Sequence, residues 1–150
     1  MVARTSIDLL LAEISPRLAA AFASAYGIER GEEALSEAVS YAWEHREEVL
    51  AMDNPAGYLY RVGQSRSRPR VTPRFLPDPV DLGIPDVEPA LAPALEALTE
   101  RQRTCVALVV GHHLSHQEVA DLLGISKSSV QHHVMRGMDH LRERLGVTSA

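Results

Sequence analysis

The sequence predicts an all-α protein in which two small helical modules are joined by a proline-rich acidic linker, with a helix-turn-helix in the C-terminal module. Three observations support this fold class. Apolar residues recur at steps of three and four along several segments, as on one face of a helix. Residues typical of helix starts precede several of these segments. Seven of the nine prolines lie between Pro69 and Pro93, where a helix cannot continue.

The run SHQEVADLLGISKSSVQHHV, residues 115–134, predicts two helices that meet at a tight turn. Ser115 followed by Glu118 is a capping box, and Ser126 can cap the second helix. Between them, Gly124 can adopt the left-handed conformation that ends the first helix. The pattern indicates a helix-turn-helix, the alternative being an ordinary αα-hairpin. The second helix has apolar residues at Val130, Val134, Met138, Leu141 and Leu145.

A further helix precedes this motif. In LTERQRTCVALVVG, Thr99 and Gln102 form a second capping box and Gly111 ends the helix. The run PALEAL before it indicates one more short helical turn. Residues 93–145 therefore predict a compact helical domain. Cys105, the only cysteine, is predicted to be a packed core thiol, and a single cysteine excludes an internal disulfide framework.

The N-terminal half also predicts helices. IDLLLAEI is apolar on one side, and Ser15-Pro16 indicates the start of a second helix that ends at Gly27. Residues 30–51 predict the longest helix, and Asn54-Pro55 predicts the start of the next one. Composition alone indicates a small helical bundle with no ligand. The inward-facing positions predicted for these two helices are Leu35, Val39, Ala42, Trp43, Leu59 and Val62.

Charge is unevenly distributed along the 150 residues, a length typical of one ordinary domain or two very small ones. Residues 1–60 carry a net charge of −6, residues 61–74 carry +5, residues 75–100 carry −6 and residues 101–150 carry +2. No run is long enough to span a bilayer, and the N-terminus lacks the features of a signal peptide. We therefore expect a cytoplasmic protein that has no membrane contact.

Enzymatic activity is not predicted. The sequence has no glycine-rich phosphate loop and no Ser-His-Asp set with an elbow motif. Six of the seven histidines lie between His112 and His140, and three of them could converge on a metal, namely His112, His113 and His116. No carboxylate or cysteine set accompanies them at convincing spacing. We therefore expect no catalytic residue, metal or cofactor, and ordinary surface or loop positions for the histidines.

Taken together, these features resemble bacterial RNA polymerase sigma factors, most closely the extracytoplasmic-function (ECF) group, which keeps only the second and fourth conserved regions. The run LEALTERQRTCVALVVGHHLSHQEVADLLGISKSSVQHHVMRGMDHLRERL follows the fourth region without a gap. The N-terminal match is looser and rests on NP-x-x-YLYRV and EEALSEAVSYAW. The resemblance implies a region 2-like module at residues 1–68, a linker at 69–92 and a region 4-like module at 93–150.

The resemblance implies that the N-terminal module docks on the clamp of core RNA polymerase. The clamp-binding residues would be Glu33, Ser36, Glu37 and Trp43, although Glu33 and Ser36 replace the usual Asp and Gln. The loop at residues 47–54 would then meet an unpaired base of the −10 element. Arginines at the end of the following helix suit the DNA backbone. They are Arg61, Arg66, Arg68 and Arg70.

The resemblance also implies that the helix beginning at Lys127 enters the major groove of double-stranded promoter DNA at the −35 element. Gln131 suits adenine edges, whereas Lys127 and Arg136 suit phosphate. The acidic linker would thread the RNA path of the polymerase, and an anti-sigma factor is a further partner that the family admits. The predicted DNA-contacting residues are Ser126, Lys127, Ser128, Gln131, His132 and Arg136.

The predicted recognition helix carries little positive charge. From Pro93 onward the bases and acids balance at six each, so the isolated module should bind DNA weakly. A tether to polymerase would compensate by raising the effective concentration of the module at the promoter. Protonation of His132 and His133 near pH 6.5 would add positive charge, which predicts tighter DNA binding in mild acid.

Two other functions are compatible with the sequence. The sequence also resembles the C-terminal domain of LuxR-type transcription regulators, which usually bind DNA as dimers. The segments that carry this resemblance are LTERQR, EVADLLGIS and HHV. The altered clamp run also fits a degenerate sigma-like interaction protein, which would bind polymerase or an anti-sigma factor without opening promoters. Oligomeric state separates the first alternative from a sigma factor, and promoter-dependent transcription separates the second.

Overall fold

The structure, a computed structural model, describes residues 2–67 and 90–146, with side chains described from Ser6 onward. The regular elements in these ranges are all helical, which confirms the predicted all-α fold class. Most of the predicted linker, residues 69–92, lies outside the described residues. None of the described helices has both the length and the apolar composition needed to cross a bilayer.

The described helices are numbered in chain order. The N-terminal helices are α1 (Val2–Tyr26), α2 (Ile28–Glu44), α3 (Arg46–Leu50) and α4 (Pro55–Arg66). The C-terminal helices are α5 (Leu91–Glu96), α6 (Glu100–Val106), α7 (His116–Leu123) and α8 (Lys127–Leu145), and α6 continues into a π-helical turn at Ala107–Gly111.

Helix α1 is continuous, so the predicted start of a separate helix at Pro16 is wrong. A proline inside a helix removes one backbone hydrogen bond and costs about 3 kcal/mol. Burial of each large apolar side chain contributes roughly 1.5–3 kcal/mol. Several such side chains on both sides of Pro16 share one buried face, and together they outweigh the cost of the proline. They are Ile7, Leu11, Ile14, Leu18 and Phe22.

The predicted helix at residues 30–51 is divided in two. Helix α2 ends at Glu44, and His45 leaves the helical conformation with φ −119° and ψ 35° before α3 begins. The side chain of His45 stacks on Tyr41 with ring centroids 4.1 Å apart. The change of direction lets Val49 of α3 enter the core, where it is fully buried. A core contact therefore overrides the helical pattern of the sequence.

Small residues form the contact between α2 and α1. Ala34, Ala38 and Ala42 are fully buried, whereas the predicted inward residues Leu35, Val39 and Trp43 are only partly buried beside the core. A methyl group at Gly31 would lie 2.8 Å from the backbone nitrogen of Ala23. The two backbones thus approach too closely for large side chains between them. The predicted inward residues Leu35, Val39 and Trp43 pack at the border of the core, and the centre of the contact consists of alanines.

The predicted helix caps are confirmed. Asn54 caps α4 by accepting a hydrogen bond of 3.1 Å from the backbone N–H of Gly57. Thr99 and Gln102 form both hydrogen bonds of the capping box at the start of α6. Helix α5 begins at Leu91, two residues before the predicted start of the C-terminal domain.

Buried apolar residues of the N-terminal and C-terminal halves share one core, and a second, smaller cluster lies within the C-terminal half. The ring of Phe22 stacks on that of Tyr60, with centroids 4.9 Å apart. Cys105 is fully buried in this core, as predicted, and burial raises the pKa of its thiol to about 11. The C-terminal half contributes Cys105, Leu108, Val119, Ala120, Leu122, Leu123 and Val130. The helix-turn-helix therefore rests directly on the N-terminal half.

The close α1–α2 contact predicts the effect of a single added methyl group. Gly31→Ala should lower the free energy of unfolding by about 1–3 kcal/mol, because the strain of overpacking exceeds the gain in helix propensity of about 1 kcal/mol. Gly111→Ala is the matched control, since a methyl group there meets no atom within 4 Å. Urea unfolding of both variants measures the difference, and a stabilised Gly31→Ala protein would contradict the contact.

Candidate nucleic-acid interface

Helices α7 and α8 form the predicted helix-turn-helix. Ser115 and Glu118 exchange two hydrogen bonds of 3.0 Å, so the capping box at the start of α7 is complete. Gly124 ends α7 in the left-handed conformation with φ 69°. Ser126 then caps α8 by accepting a hydrogen bond of 3.1 Å from the backbone N–H of Ser129. Each local signal that predicted the motif therefore has the expected hydrogen bond or dihedral angle.

The apolar side of α8 faces the protein. Val130 and Leu141 are buried, and the other predicted inward residues, Val134, Met138 and Leu145, are partly buried. The opposite side of the helix is free of the rest of the chain among the described residues. The residues exposed there are Lys127, Ser128, Gln131, His132, Met135 and Arg136. The predicted DNA-contacting side chains thus share one accessible face.

Ser126 differs from the other predicted contact residues because its hydroxyl is already engaged. Besides capping α8, it lies 2.9 Å from the Ser129 hydroxyl and 3.2 Å from that of Ser128. Its side chain therefore organises the first turn of α8. The exposed first turn of this helix still presents backbone N–H groups and the positive end of the helix dipole, both of which suit a phosphate.

The two adjacent histidines of α8 occupy different environments. His132 is exposed, whereas His133 is partly buried, and their rings meet edge to face with centroids 6.2 Å apart. Burial lowers the pKa of His133 below its ordinary value of 6.5, and Arg101 and His132 lower the pKa further. His133 therefore gains its charge only at a more acidic pH than a free imidazole.

The histidines before α7 lie on a different surface. His112 and His113 are exposed, and His116 at the start of α7 is partly buried. Within residues 2–67 and 90–146, no group of three or more histidine, cysteine or acidic side chains is placed to hold a metal ion. His112 and His113 thus occupy surface positions.

A partly exposed aromatic cluster lies where α2 and α4 meet. The hydroxyls of Tyr41 and Tyr58 are 3.1 Å apart, and Tyr41 also stacks on His45. The guanidinium carbon of Arg66 lies 5.2 Å from the centroid of the Tyr41 ring, a distance suited to a cation–π contact. The pKa of Tyr41 is raised, chiefly by its hydrogen bond with Tyr58. Aromatic faces beside a guanidinium make a surface on which an unpaired base can stack.

The arginines predicted to lie near the −10 element are only partly within the described residues. Arg66 belongs to the aromatic cluster and lies 3.6 Å from the carboxylate of Glu37. Arg61 is on the other side of α4, where a methyl group at Gly124 would lie 2.9 Å from its Nη2 atom. Arg61 and Arg66 therefore face different neighbours. Arg68 and Arg70 lie outside the described residues.

The four predicted clamp-binding residues all lie on α2. Glu33, Ser36 and Glu37 are exposed and follow one another at helical spacing on one side. Trp43 is partly buried and packs against the core. The structure thus brings the two acids and the serine together on one surface, whereas Trp43 supports the helix from its inner side.

Comparison with known proteins adds two findings. Residues 90–141 match the family model of sigma-70, region 4. The C-terminal module is therefore similar to sigma-70 region 4. The whole fold is similar to that of the sigma factor RpoE in a co-crystal structure with the anti-sigma factor NepR from Bartonella quintana, with a TM-score of 0.67, 19% identity, and 95% of this chain and 98% of that chain covered. A search of curated protein sequences finds no significant match.

The first finding confirms the predicted resemblance of the C-terminal module to the fourth region of sigma factors, and the second confirms the predicted fold. Region 4 supplies the sequence evidence, and the similarity to RpoE extends the fold to the N-terminal half. Sigma factors are in general not enzymes. For the N-terminal residues of the interface, the structure of this chain is the only support for their assignment.

Sequence reasoning missed several residues that meet at the interface. Tyr41 and His45 were not predicted as partners of Tyr58, although their spacing of four residues on a helix places their rings on one side. Arg103, for which the sequence analysis made no prediction, is only 4% exposed. Nothing in the local sequence around Arg103 signals burial, because its contacts come from α1, which is distant in the chain.

The lowered pKa of His133 predicts a pH dependence of stability. The unfolded chain takes up a proton near pH 6.5, whereas the folded chain does so only at lower pH. The free energy of unfolding should therefore fall as the pH drops below about 6.5, and His133→Gln should remove part of this loss. Urea unfolding between pH 7.5 and pH 5 measures the effect. His140→Gln, an exposed change on the same helix, is the matched control, and identical curves for the wild type and His133→Gln would contradict the prediction.

Proposed function

We propose that this protein is a sigma factor that binds core RNA polymerase and directs promoter-specific initiation of transcription. The observation that carries the proposal is the region 4 helix-turn-helix, whose recognition helix α8 presents one exposed polar face. In this proposal the C-terminal module contacts the −35 element and the N-terminal module contacts the −10 element. The protein would act in the cytoplasm, where the polymerase is found.

The exposed face of α8 contains two kinds of contact. Lys127 and Arg136 carry positive charges that suit phosphate, and such contacts fix the position of a helix on DNA without reading sequence. Gln131 lies between them and can form two hydrogen bonds with an adenine edge in the major groove. Ser128 and His132 are further donors on the same face. Gln131 is therefore the residue we assign to sequence reading.

We assign capture of an unpaired −10 base to the aromatic cluster of α2 and α4. Tyr58 is 40% exposed, and the adjacent rings of Tyr41 and His45 extend the surface. Stacking of one base on an aromatic side chain contributes about 1–3 kcal/mol and tolerates any base. Arg66 can hold the adjoining phosphate once it leaves Glu37, since that ion pair is exposed and weak.

Weak intrinsic DNA binding is compatible with this function. The region 4 module has no net positive charge and only two bases on the exposed face of α8, and phosphate neutralisation supplies most non-specific affinity. Binding to polymerase makes the DNA contact intramolecular and compensates for the small charge. A free-standing regulator of the LuxR type would need dimerisation for the same purpose. The similarity to RpoE over nearly the whole chain supports the tethered sigma factor over that alternative.

Binding to core RNA polymerase and transcription from a promoter test the proposal. The wild-type chain should elute with core polymerase on size-exclusion chromatography and support transcription from a cognate promoter. Glu33→Lys combined with Ser36→Arg should weaken the complex by about tenfold, because both residues lie on the exposed face of α2. Asp8→Lys, an exposed charge reversal on α1, is the matched control.

Separate elution of the wild-type chain as a dimer would contradict the proposal and favour the free-standing regulator. Co-elution without transcription from any promoter would instead identify a sigma-like interaction protein. An anti-sigma factor is a further partner that we propose, because the similar sigma factor RpoE was crystallised with NepR.

The recognition helix gives a separate prediction. Gln131→Ala in the polymerase complex should reduce discrimination at one position of the −35 element by about 1–3 kcal/mol. Lys127→Ala should instead weaken binding to all promoters and lower the slope of log affinity against log salt by about one. Fluorescence anisotropy with a set of −35 variants measures both, with Glu143→Ala at an exposed position near the end of α8 as the control. Unchanged preference and slope in both variants would exclude α8 as the reading helix.

A further inference from the structure

Met135 is a large apolar side chain on the otherwise polar outer face of α8. We propose that it contacts the C5-methyl group of a thymine in the major groove and adds a second position of sequence reading to the −35 contact. The inference rests on the proposed function, because it concerns the same helix and the same DNA. It names the base that Met135 reads and the chemical group through which the base is read.

The fold of this chain does not bury Met135. The side chain is 56% exposed, although the rest of α8 follows an amphipathic pattern. Val134 before it is partly buried beside the core, and Met138 one turn later packs against the smaller apolar cluster of the C-terminal half. The helix therefore has inward positions for its apolar residues, and Met135 does not occupy one of them.

Met135 lies within the surface assigned to DNA. It follows Gln131 by four residues and His132 by three, spacings that place side chains next to one another on one face of a helix. Arg136, whose charge suits phosphate, is exposed beside it. The thioether is therefore bordered by groups that we assign to base and backbone contacts, and a duplex bound to those groups covers it.

The chemistry of the side chain restricts what Met135 can contact. A thioether carries no charge and no hydrogen-bond donor, and its sulfur is a weak acceptor. Phosphate oxygens and the polar atoms of base edges therefore gain little from it. The apolar group that a base pair displays in the major groove is the C5-methyl of thymine, which apolar side chains contact. Methionine suits this contact because its three rotatable bonds let it adapt to the surface it meets.

Exposure alone does not indicate a contact, since isolated apolar side chains are common on protein surfaces. Leu9 in α1 and Val110 in the π-helical turn are also exposed, at 68% and 47%. Leu9 lies beside the exposed acids Asp8 and Glu13, which would repel DNA, and Val110 lies outside the recognition helix. The position of Met135 among groups that suit DNA, rather than its exposure, carries the inference.

The spacing along α8 predicts where the thymine lies. Four residues of an α-helix rise about 6 Å, and successive base pairs are about 3.4 Å apart. A helix that follows the groove therefore places Met135 one or two base pairs from the adenine that Gln131 reads. The −35 element should thus contain a second A·T pair at this separation, with its thymine methyl group directed at Met135.

An apolar contact also suits a recognition helix that carries little positive charge. Burial of a methyl group against a thioether contributes affinity without release of counterions, whereas the phosphate contacts of Lys127 and Arg136 weaken as salt is added. The preference for thymine at this position should therefore be the same at low and at high salt concentration, although the overall affinity falls.

Replacement of thymine by uracil tests the contact, because it removes the methyl group and leaves the hydrogen-bonding edge of the base unchanged. The complex of the wild-type chain with core polymerase first selects binding sites from promoter duplexes that have a randomised −35 element. Each thymine of the selected element is then replaced by uracil in turn, and fluorescence anisotropy measures the affinity. One replacement should lower the affinity about fourfold, the contribution of one buried methyl group.

Variants at position 135 assign the methyl group to this side chain. Met135→Ala should bind the thymine and uracil duplexes equally, whereas Met135→Leu, which keeps an apolar side chain of similar volume, should retain most of the fourfold ratio. Val110→Ala removes an apolar side chain of similar exposure from the same module, so it is the matched control and should keep the wild-type ratio. Urea unfolding should give the same stability for all of these variants, because both positions are exposed.

Three outcomes would overturn the role of Met135 alone. The first is equal affinity of the wild-type complex for the thymine and uracil duplexes at every position. The second is an unchanged fourfold ratio in Met135→Ala, because the methyl group would then act on another side chain or on the shape of the duplex. The third is an equal loss of affinity for all duplexes in Met135→Ala, which would assign the side chain to polymerase. A wild-type complex that selects no −35 sequence at all would instead contradict the proposed function and overturn the inference with it.

Discussion

The guanidinium of Arg103 is the contact on which the arrangement of the two modules depends. Removing a charge from water costs several kcal/mol, and a buried charge is stable only where hydrogen bonds replace its hydration. Arg103 meets this condition by donating to carbonyls of α1 and of its own module. Each hydrogen bond to a charged group contributes about 1.5–3 kcal/mol. Burial lowers the pKa of Arg103 below its ordinary value, and the nearby carboxylates of Glu100 and Glu96 act in the opposite direction.

The helix-turn-helix itself depends on short-range interactions. Two capping boxes and one serine cap set the starts of α6, α7 and α8, and left-handed glycines at Gly124 and Gly146 end α7 and α8. These contacts lie within a few residues of one another, so the motif needs little help from the rest of the chain. What the rest of the chain supplies is the surface on which the motif rests. Val119 and Val130 fix that surface by entering the core shared with α1 and α4.

Two side chains, each with one local and one distant contact, couple a helix start to the contact between the two modules. Asn54 and Glu118 each keep a helix start in place with one atom and join the two modules with another. Each of these side chains therefore stabilises a helix start and also a contact between helices that are distant in the chain.

The sequence by itself determined the fold class, the helix-turn-helix and the exposed face of α8. Their signals are local: Ser115 with Glu118, Gly124, Ser126, and apolar residues that recur at steps of three and four in α8. It also placed the start of α4 at Asn54-Pro55, because both the cap and the first-position proline act within a single turn.

Only the tertiary structure decided the continuity of α1, the break at His45 and the alanine face of α2. Each depends on a partner distant in the chain: burial outweighs the cost of Pro16, Val49 must reach the core, and Gly31 must lie against the backbone of Ala23. The aromatic cluster and the burial of Arg103 likewise need two helices brought together. A sequence pattern predicts contacts between residues within one or two helical turns of each other. The contacts described here form only when helices that are distant in the chain pack together.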